Sequence, residues 1–184
     1  MMKEIHEQPR AVSDTINSFV APDGEKYKID FTSAGFTDEE IKAFTQVYFV
    51  ACGSAYHVGM ASQYVIEDLA GLPVRCELAS EFRYRNMPID KNTLVVIISQ
   101  SGETADSLAA LRKCKELGIK TLAIVNVVGS SIAREADHAL YTLAGPEISV
   151  ATTKAYSAQL IAADVLAIHL AAVRETISQD RESD

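Results

Sequence analysis

The stretch "LVVIISQSGETADSLAALRKCKEL", residues 94–117, sets the architecture. Leu94, Val95, Val96, Ile97 and Ile98 form an apolar run of strand length, rich in β-branched residues. A run with no polar face fits a strand covered on both sides of a parallel sheet. It leads into the small polar turn Ser99, Gln100, Ser101, Gly102, Glu103 and Thr104, which contains no Lys or Arg. Beyond the turn, Leu108, Ala110, Leu111, Cys114 and Leu117 share one half of a helical wheel, and Arg112, Lys113 and Glu116 share the other. Strand, tight turn and amphipathic helix in this order are the unit of an α/β sheet.

The same alternation runs along the chain. "VYFVAC" (47–52), "PVRCEL" (73–78), "TLVVIIS" (93–99), "KTLAIVN" (120–126) and "HALYTL" (138–143) have strand character. Residues 54–70 and 103–117 have helical periodicity, and a long terminal helix begins near Thr152. Parallel neighbours need crossovers, so the expected fold is a three-layer α/β/α sandwich on a mostly parallel five-stranded sheet. Upstream, residues 3–19 read as a helix and "APDGEKYKIDFTSAGFT" (21–37) as a polar, turn-rich connector. Thr37 followed by Asp38, Glu39 and Glu40 marks a short helix start. The division that follows is a helical lead-in over 1–45 packing on a domain over 46–177, with a frayed tail over 178–184.

A chain of 184 residues, 48% hydrophobic and 23% charged, is expected to bury one main core. Its 17 basic and 25 acidic residues give a net charge of −8, which argues against nucleic acid and anionic membrane as partners. Cys52, Cys76 and Cys114 lack any CxxC spacing and read as free thiols in a reducing compartment. "MMKEIHEQPR" has no apolar signal-peptide core, so the cytoplasm is the expected location. Gln159, Asp164 and His169 interrupt the apolar run 155–173, which reads as a buried helix and not a membrane span. His6, His57, His138 and His169 show no paired ligand spacing, so no metal is expected.

Ligands of open α/β sheets collect at the carboxyl ends of the strands. Three loops are candidates there: Cys52-Gly53-Ser54-Ala55, residues 99–104, and Val150-Ala151-Thr152-Thr153-Lys154. In the second, the free N–H groups and positive dipole end of a helix combine with the hydroxyls of Ser99, Ser101 and Thr104. Gly102 lets the backbone turn and approach closely. A phosphate monoester fits that donor set; a well-capped helix start would carry the same residues, and the turn alone leaves both readings open. There is no GxxxxGK[ST] for a triphosphate, and Gly53 and Gly59 are too far apart for a dinucleotide turn. Glu103 would repel an anion and is expected to point away. Cys52 reads as a buried strand-end thiol, His57 and Glu81 as structural or solvated residues, and "SEFRYR" (80–85) as a packing and surface helix. Lys154 reads equally as an amine catalyst or as an exposed first-turn lysine.

"KEIHEQPRAV" (3–12), "ELASEFRYR" (77–85), "SQSGETADSLAALR" (99–112), "AIVNVVGSSIARE" (123–135) and "AGPEISVATTKAYSAQL" (144–160) together resemble the isomerase part of the glutamine:fructose-6-phosphate amidotransferases, the glucosamine-6-phosphate synthases. That region consists of two sugar isomerase (SIS) domains, and this chain is similar to its lead-in and first SIS domain. The resemblance implies that Ser99, Gln100, Ser101 and Thr104 bind the phosphate of fructose 6-phosphate or glucosamine 6-phosphate. It implies that Val150 and Thr152 contact the sugar, and that Gly53 and Ser54 belong to the same pocket. The family usually reads Cys-Gly-Thr-Ser where this chain has Cys52-Gly53-Ser54-Ala55, so one hydroxyl is absent at Ala55; Ser149 stands where Gly is usual. The resemblance implies a hexose phosphate ligand, a homodimer and no metal or organic cofactor. The family's proton-transfer and imine-forming residues lie in the second SIS domain or the C-terminal tail, so no catalytic residue is assigned here and the chain alone is expected to be inactive. Alternatives are a stand-alone sugar-phosphate-binding regulatory module and a related isomerase or deglycase, although the acidic N-terminal segment offers no basic recognition helix.

Overall fold

The computed structural model of the chain describes residues 1–24 and 26–178. It begins with α1 (Met2–Phe19), β1 (Val20–Asp23), β2 (Lys26–Ile29), a 3-10 turn at Thr32–Ala34 and α2 (Asp38–Ala43). There follow β3 (Gln46–Ala51), α3 (Ser54–Ala70), β4 (Val74–Leu78), α4 (Ala79–Phe82), β5 (Thr93–Ser99) and α5 (Ala105–Glu116). The last elements are β6 (Lys120–Val125), α6 (Ser131–Glu135), β7 (His138–Tyr141) and α7 (Lys154–Val173).

β5 is central, in a five-stranded sheet of order β4-β3-β5-β6-β7 whose pairings are all parallel. Alternation along β5 divides the interior in two. Leu94, Val96 and Ile98 enter a core shared with α3 and α7, whereas Val95 and Ile97 enter one shared with α4, α5 and α6. This is the α/β/α sandwich expected from the sequence. α7 is long and apolar enough to cross a membrane by length and composition, yet its Ala158, Ala162, Ala163, Leu166, Ala167 and Leu170 are buried. It packs against both α1 and α3, and its alanines permit a close approach.

The connector over 21–37 differs from the expectation. β1 and β2 form an antiparallel hairpin, with Val20 opposite Ile29 and Pro22 opposite Tyr27. Lys26, Tyr27 and Lys28 are all exposed and Ile29 is half-buried, so β2 has no covered face whose alternation would separate it from a loop. Phe31 then turns inward, 3% exposed, and meets Phe19 edge to face at 5.5 Å. Thr37 starts α2 as expected, accepting from the Glu40 amide while the Glu40 carboxylate accepts from the Thr37 amide.

Two further corrections concern helix ends. Leu117 lies past the end of α5 and is 47% exposed, because the chain reverses at Gly118 (φ +68°) and buries Ile119 instead. The terminal helix starts at Lys154, and Lys154 is neither exposed nor free: it is 5% exposed, and its Nζ donates to Glu7 Oε2 at 2.7 Å. Gln8 accepts from the Ser157 hydroxyl at 2.7 Å, so α1 is bound to α7 along one seam. Of the tail over 178–184, residues 179–184 lie outside the described residues.

Two outcomes follow from this packing. A Cβ on Gly59 would lie 2.6 Å from Phe49 Cβ, and Phe49 is 1% exposed with no room to retreat. Gly59→Ala is therefore expected to lower stability in urea unfolding by about 1–2 kcal/mol, overpacking outweighing the roughly 1 kcal/mol gain in helix propensity. An unchanged midpoint would mean that α3 slides on the sheet. The second outcome concerns acid: the Lys154 hydrogen bond holds the Glu7 carboxyl below its ordinary value of 4.5. A carboxyl depressed in the folded state stabilises above its unfolded pKa and stops doing so as pH falls through the folded one. Amide protection factors in the first turns of α1 should therefore fall below about pH 4.5 before those of α3, and Glu7→Gln should shrink that pH step, leaving the part that Glu4 contributes through the Ile148 and Ser149 amides.

Candidate functional site

Seven of the eight expected residues, Ser54, Ser99, Gln100, Ser101, Thr104, Val150 and Thr152, line one cleft of about 280 Å³ at the carboxyl edge of the sheet. Gly53 does not line it. With φ +58° and ψ −133° it occupies a conformation suited to glycine and serves as the N-cap residue of α3. Its carbonyl accepts from the Tyr56 amide and meets the His57 ring, both at 3.1 Å, so Gly53 shapes the loop that presents Ser54.

The β5–α5 turn is held from within. Ser99, 3% exposed, accepts from the Gly102 amide at 3.1 Å and shares a 2.9 Å hydrogen bond with the Thr104 hydroxyl. Ser101 Oγ accepts from the Glu103 amide at 3.2 Å, which leaves its proton free to donate into the cleft. Gly102 has φ +66°, and a Cβ there would lie 2.0 Å from Ser130 Oγ, so no other residue fits. Glu103 does turn away from the cleft, its Oε1 accepting from the Ser131 amide at 2.7 Å at the start of α6. That amide holds the Glu103 carboxyl below its ordinary range, with help from the Ser131 hydroxyl. Asp106, in the first turn of α5, is engaged by Arg83 at 2.7 Å. Thr104, the N-cap residue of α5, places no side-chain oxygen on the helix's first amides. These donors stand open, and the helix dipole favours an anion beside them.

The start of α7, which also borders the cleft, is already occupied. Glu147 Oε1 accepts from the amides of Thr153 at 2.8 Å and Ala155 at 3.4 Å, at the start of α7. Its Oε2 accepts the Thr152 hydroxyl at 2.8 Å. A protein carboxylate thus fills the position that a ligand anion would take there, and this capping explains why α7 begins at Lys154. Of the three helix N-termini at the cleft, those of α3 and α5 carry no side-chain cap, and that of α5 is the one flanked by the Ser101 and Thr104 hydroxyls. The β7–α7 loop is also held from outside, since Glu4 Oε1 accepts from the amides of Ile148 at 2.6 Å and Ser149 at 3.0 Å.

Three side chains at this site escaped the sequence reading. Gln159 lines the cleft, 4% exposed, and its amide reaches Gln100 Oε1 at 3.5 Å. A lone amide in an alanine-rich helix, one turn past a candidate loop, was the available signal. Glu4 and Glu147 gave no local signal, because the groups they hold are assembled only by the fold. Cys52, Ala55 and Ile98 complete an apolar wall. The three cysteines are free thiols; burial pushes Cys76 up to about 11 and Cys114 up to about 12. Glu81 is exposed and lies outside the cleft.

A family model described as the SIS domain matches residues 41–169. The chain is 51% identical over 180 residues to a glutamine–fructose-6-phosphate aminotransferase (isomerizing) of Clostridium tetani, covering 98% of this chain and 29% of that protein. A protein of the same description from Mycobacterium tuberculosis is 51% identical over 177 residues, covering 96% of this chain and 28% of its own length. Among solved structures, the C-terminal domain of glucosamine-fructose-6-phosphate aminotransferase from Francisella tularensis superposes with a TM-score of 0.90 at 41% identity. That match covers 98% of this chain and 49% of the other. The chain therefore spans less than a third of the curated relatives it matches. The five-stranded parallel sheet, the open β5–α5 turn at its carboxyl edge and the match over residues 41–169 agree: the chain belongs to the SIS domain family.

Proposed function

We propose that this chain is a sugar-phosphate-binding domain that seats fructose 6-phosphate or glucosamine 6-phosphate in the cleft, as the isomerase region of a glucosamine-6-phosphate synthase would. The vacant N-terminus of α5, flanked by the Ser101 and Thr104 hydroxyls, carries the reading. It offers a phosphate monoester several neutral donors and one helix dipole without a cation, a set matched to a small anion. The sugar then extends toward Ser54, Val150 and Thr152, with Ala55 leaving an apolar gap where the family usually supplies a hydroxyl. The printed descriptions of the relatives support a hexose phosphate as the ligand.

The chain's part in amino-sugar synthesis is to anchor and orient the substrate. None of the residues lining the cleft is a carboxylate, an imidazole or an amine, among the described residues. Proton transfer between adjacent sugar carbons needs such a base, so groups from outside these residues must supply it. Holding the substrate in one pose is what this cleft contributes to that chemistry. Residues 1–45 serve as a lead-in that braces the domain over 46–177. The domain works in the cytoplasm, without metal or organic cofactor and without nucleic acid or membrane. Ile148 and Val150, 85% and 105% exposed beside the cleft, support closure by a partner subunit in a homodimer.

Titration with fructose 6-phosphate should raise the thermal unfolding midpoint. Ser101→Ala with Thr104→Ala should weaken binding by at least about 100-fold, since hydrogen bonds to a charged group contribute roughly 1.5–3 kcal/mol each. Supplying ammonia as well should give no glucosamine 6-phosphate. Undiminished affinity in the double variant would place the phosphate elsewhere, and product formation would place the chemistry inside the chain.

A further inference from the structure

We infer that Glu147 is a positioning residue for sugar recognition: by taking the Thr152 hydroxyl proton it fixes that oxygen as an acceptor, which selects a ligand presenting a donor hydroxyl at this wall. The inference rests on the sugar-phosphate reading of the cleft.

A carboxylate can only accept, so the 2.8 Å contact between Thr152 Oγ1 and Glu147 Oε2 has one direction. A threonine hydroxyl has a single proton. Once Glu147 holds it, Thr152 presents only lone pairs to the cleft that it lines. Glu147 cannot easily turn to release it. Its other oxygen is held by the Thr153 amide at 2.8 Å, the Ala155 amide at 3.4 Å and the Thr153 hydroxyl at 3.3 Å.

The opposite wall has the reverse polarity. Ser101 accepts from the Glu103 amide, which leaves its proton for a ligand, and the first amides of α5 can only donate. A phosphate oxygen is therefore welcome at the β5–α5 turn and repelled at Thr152, where two acceptors would meet. A sugar hydroxyl has the opposite preference at Thr152, because it can give the proton that the threonine lacks. A molecule with phosphate at one end and hydroxyls at the other is thereby oriented in a single direction across the cleft. Choosing against a wrongly placed acceptor is how such a site gains specificity.

Two substitutions separate this role from a purely structural one. Glu147→Gln keeps an oxygen for the α7 amides but sets an NH₂ against Thr152, turning the hydroxyl proton into the cleft. Thr152→Val removes the hydroxyl with little change of shape. Binding of inorganic phosphate and of fructose 6-phosphate is measured by calorimetry at one pH and salt concentration, with the ligand-free unfolding midpoint recorded for each variant. Each substitution should weaken fructose 6-phosphate about 5- to 10-fold, the loss of one neutral hydrogen bond, and leave inorganic phosphate within about 2-fold. The double variant should lose little more than either single one. Equal weakening of both probes by Glu147→Gln would show that Glu147 only shapes the loop, and overturns the inference. Unchanged fructose 6-phosphate affinity in Thr152→Val overturns it as well, while sparing the sugar-phosphate reading. Wild-type protein that binds fructose 6-phosphate no tighter than inorganic phosphate would remove both.

Discussion

Burial of β5 on both faces is the constraint from which the rest follows. A strand covered by helices on each side has little tolerance for unpaired polar side chains along its length, and every residue from Thr93 to Ser99 is buried. Polarity concentrates where the strand leaves the sheet, and there the chain must turn at once into α5 so that the helix can cover Val95 and Ile97. Gly102 makes that turn possible by accepting a left-handed conformation against Ser130. The same geometry that closes the core aims the uncapped end of α5 outward. Fold and candidate site share a cause.

A second consequence is the division of labour among the helix ends at the cleft. α3, α5 and α7 all start at the cleft, and a positive dipole end at each would offer competing seats for an anion. Glu147 removes one of them by capping α7 with a carboxylate from six residues upstream of its N-cap residue Thr153. What remains is the uncapped starts of α3 and α5 facing one acceptor wall at Thr152. Directionality in the cleft thus arises from which helix is capped by protein, with charged side chains kept out of the lining.

How much of this was legible in the residues depends on how local each feature is. β5 and α3 could be read because periodicity and β-branching are written within a few residues, and the range 54–70 coincides with α3. The polar turn after β5 was legible for the same reason. The hairpin of β1 and β2 was hidden because Lys26, Tyr27 and Lys28 are all exposed and leave no alternating pattern. Lys154 was misread because its partner, Glu7, lies 147 residues earlier, and no local pattern reports an ion pair formed by two packed helices. Gly53 was placed in the pocket on resemblance, yet its part is conformational. Glu4, Glu147 and Gln159 belong to the same class as Lys154: their partners exist only once α1, α7 and the sheet have assembled.

Glu4 reaches across from α1 to hold the Ile148 and Ser149 amides, and the same loop carries Val150 and Thr152 to the cleft. One segment of backbone therefore faces a helix on its outer side and, on the proposed reading of the cleft, a ligand on its inner side. Thermodynamic linkage makes their influence mutual: to whatever degree a seated α1 favours the loop shape that the ligand prefers, the ligand favours a seated α1 by the same factor. A segment that looks like a mere brace is thereby an energetic neighbour of the binding site.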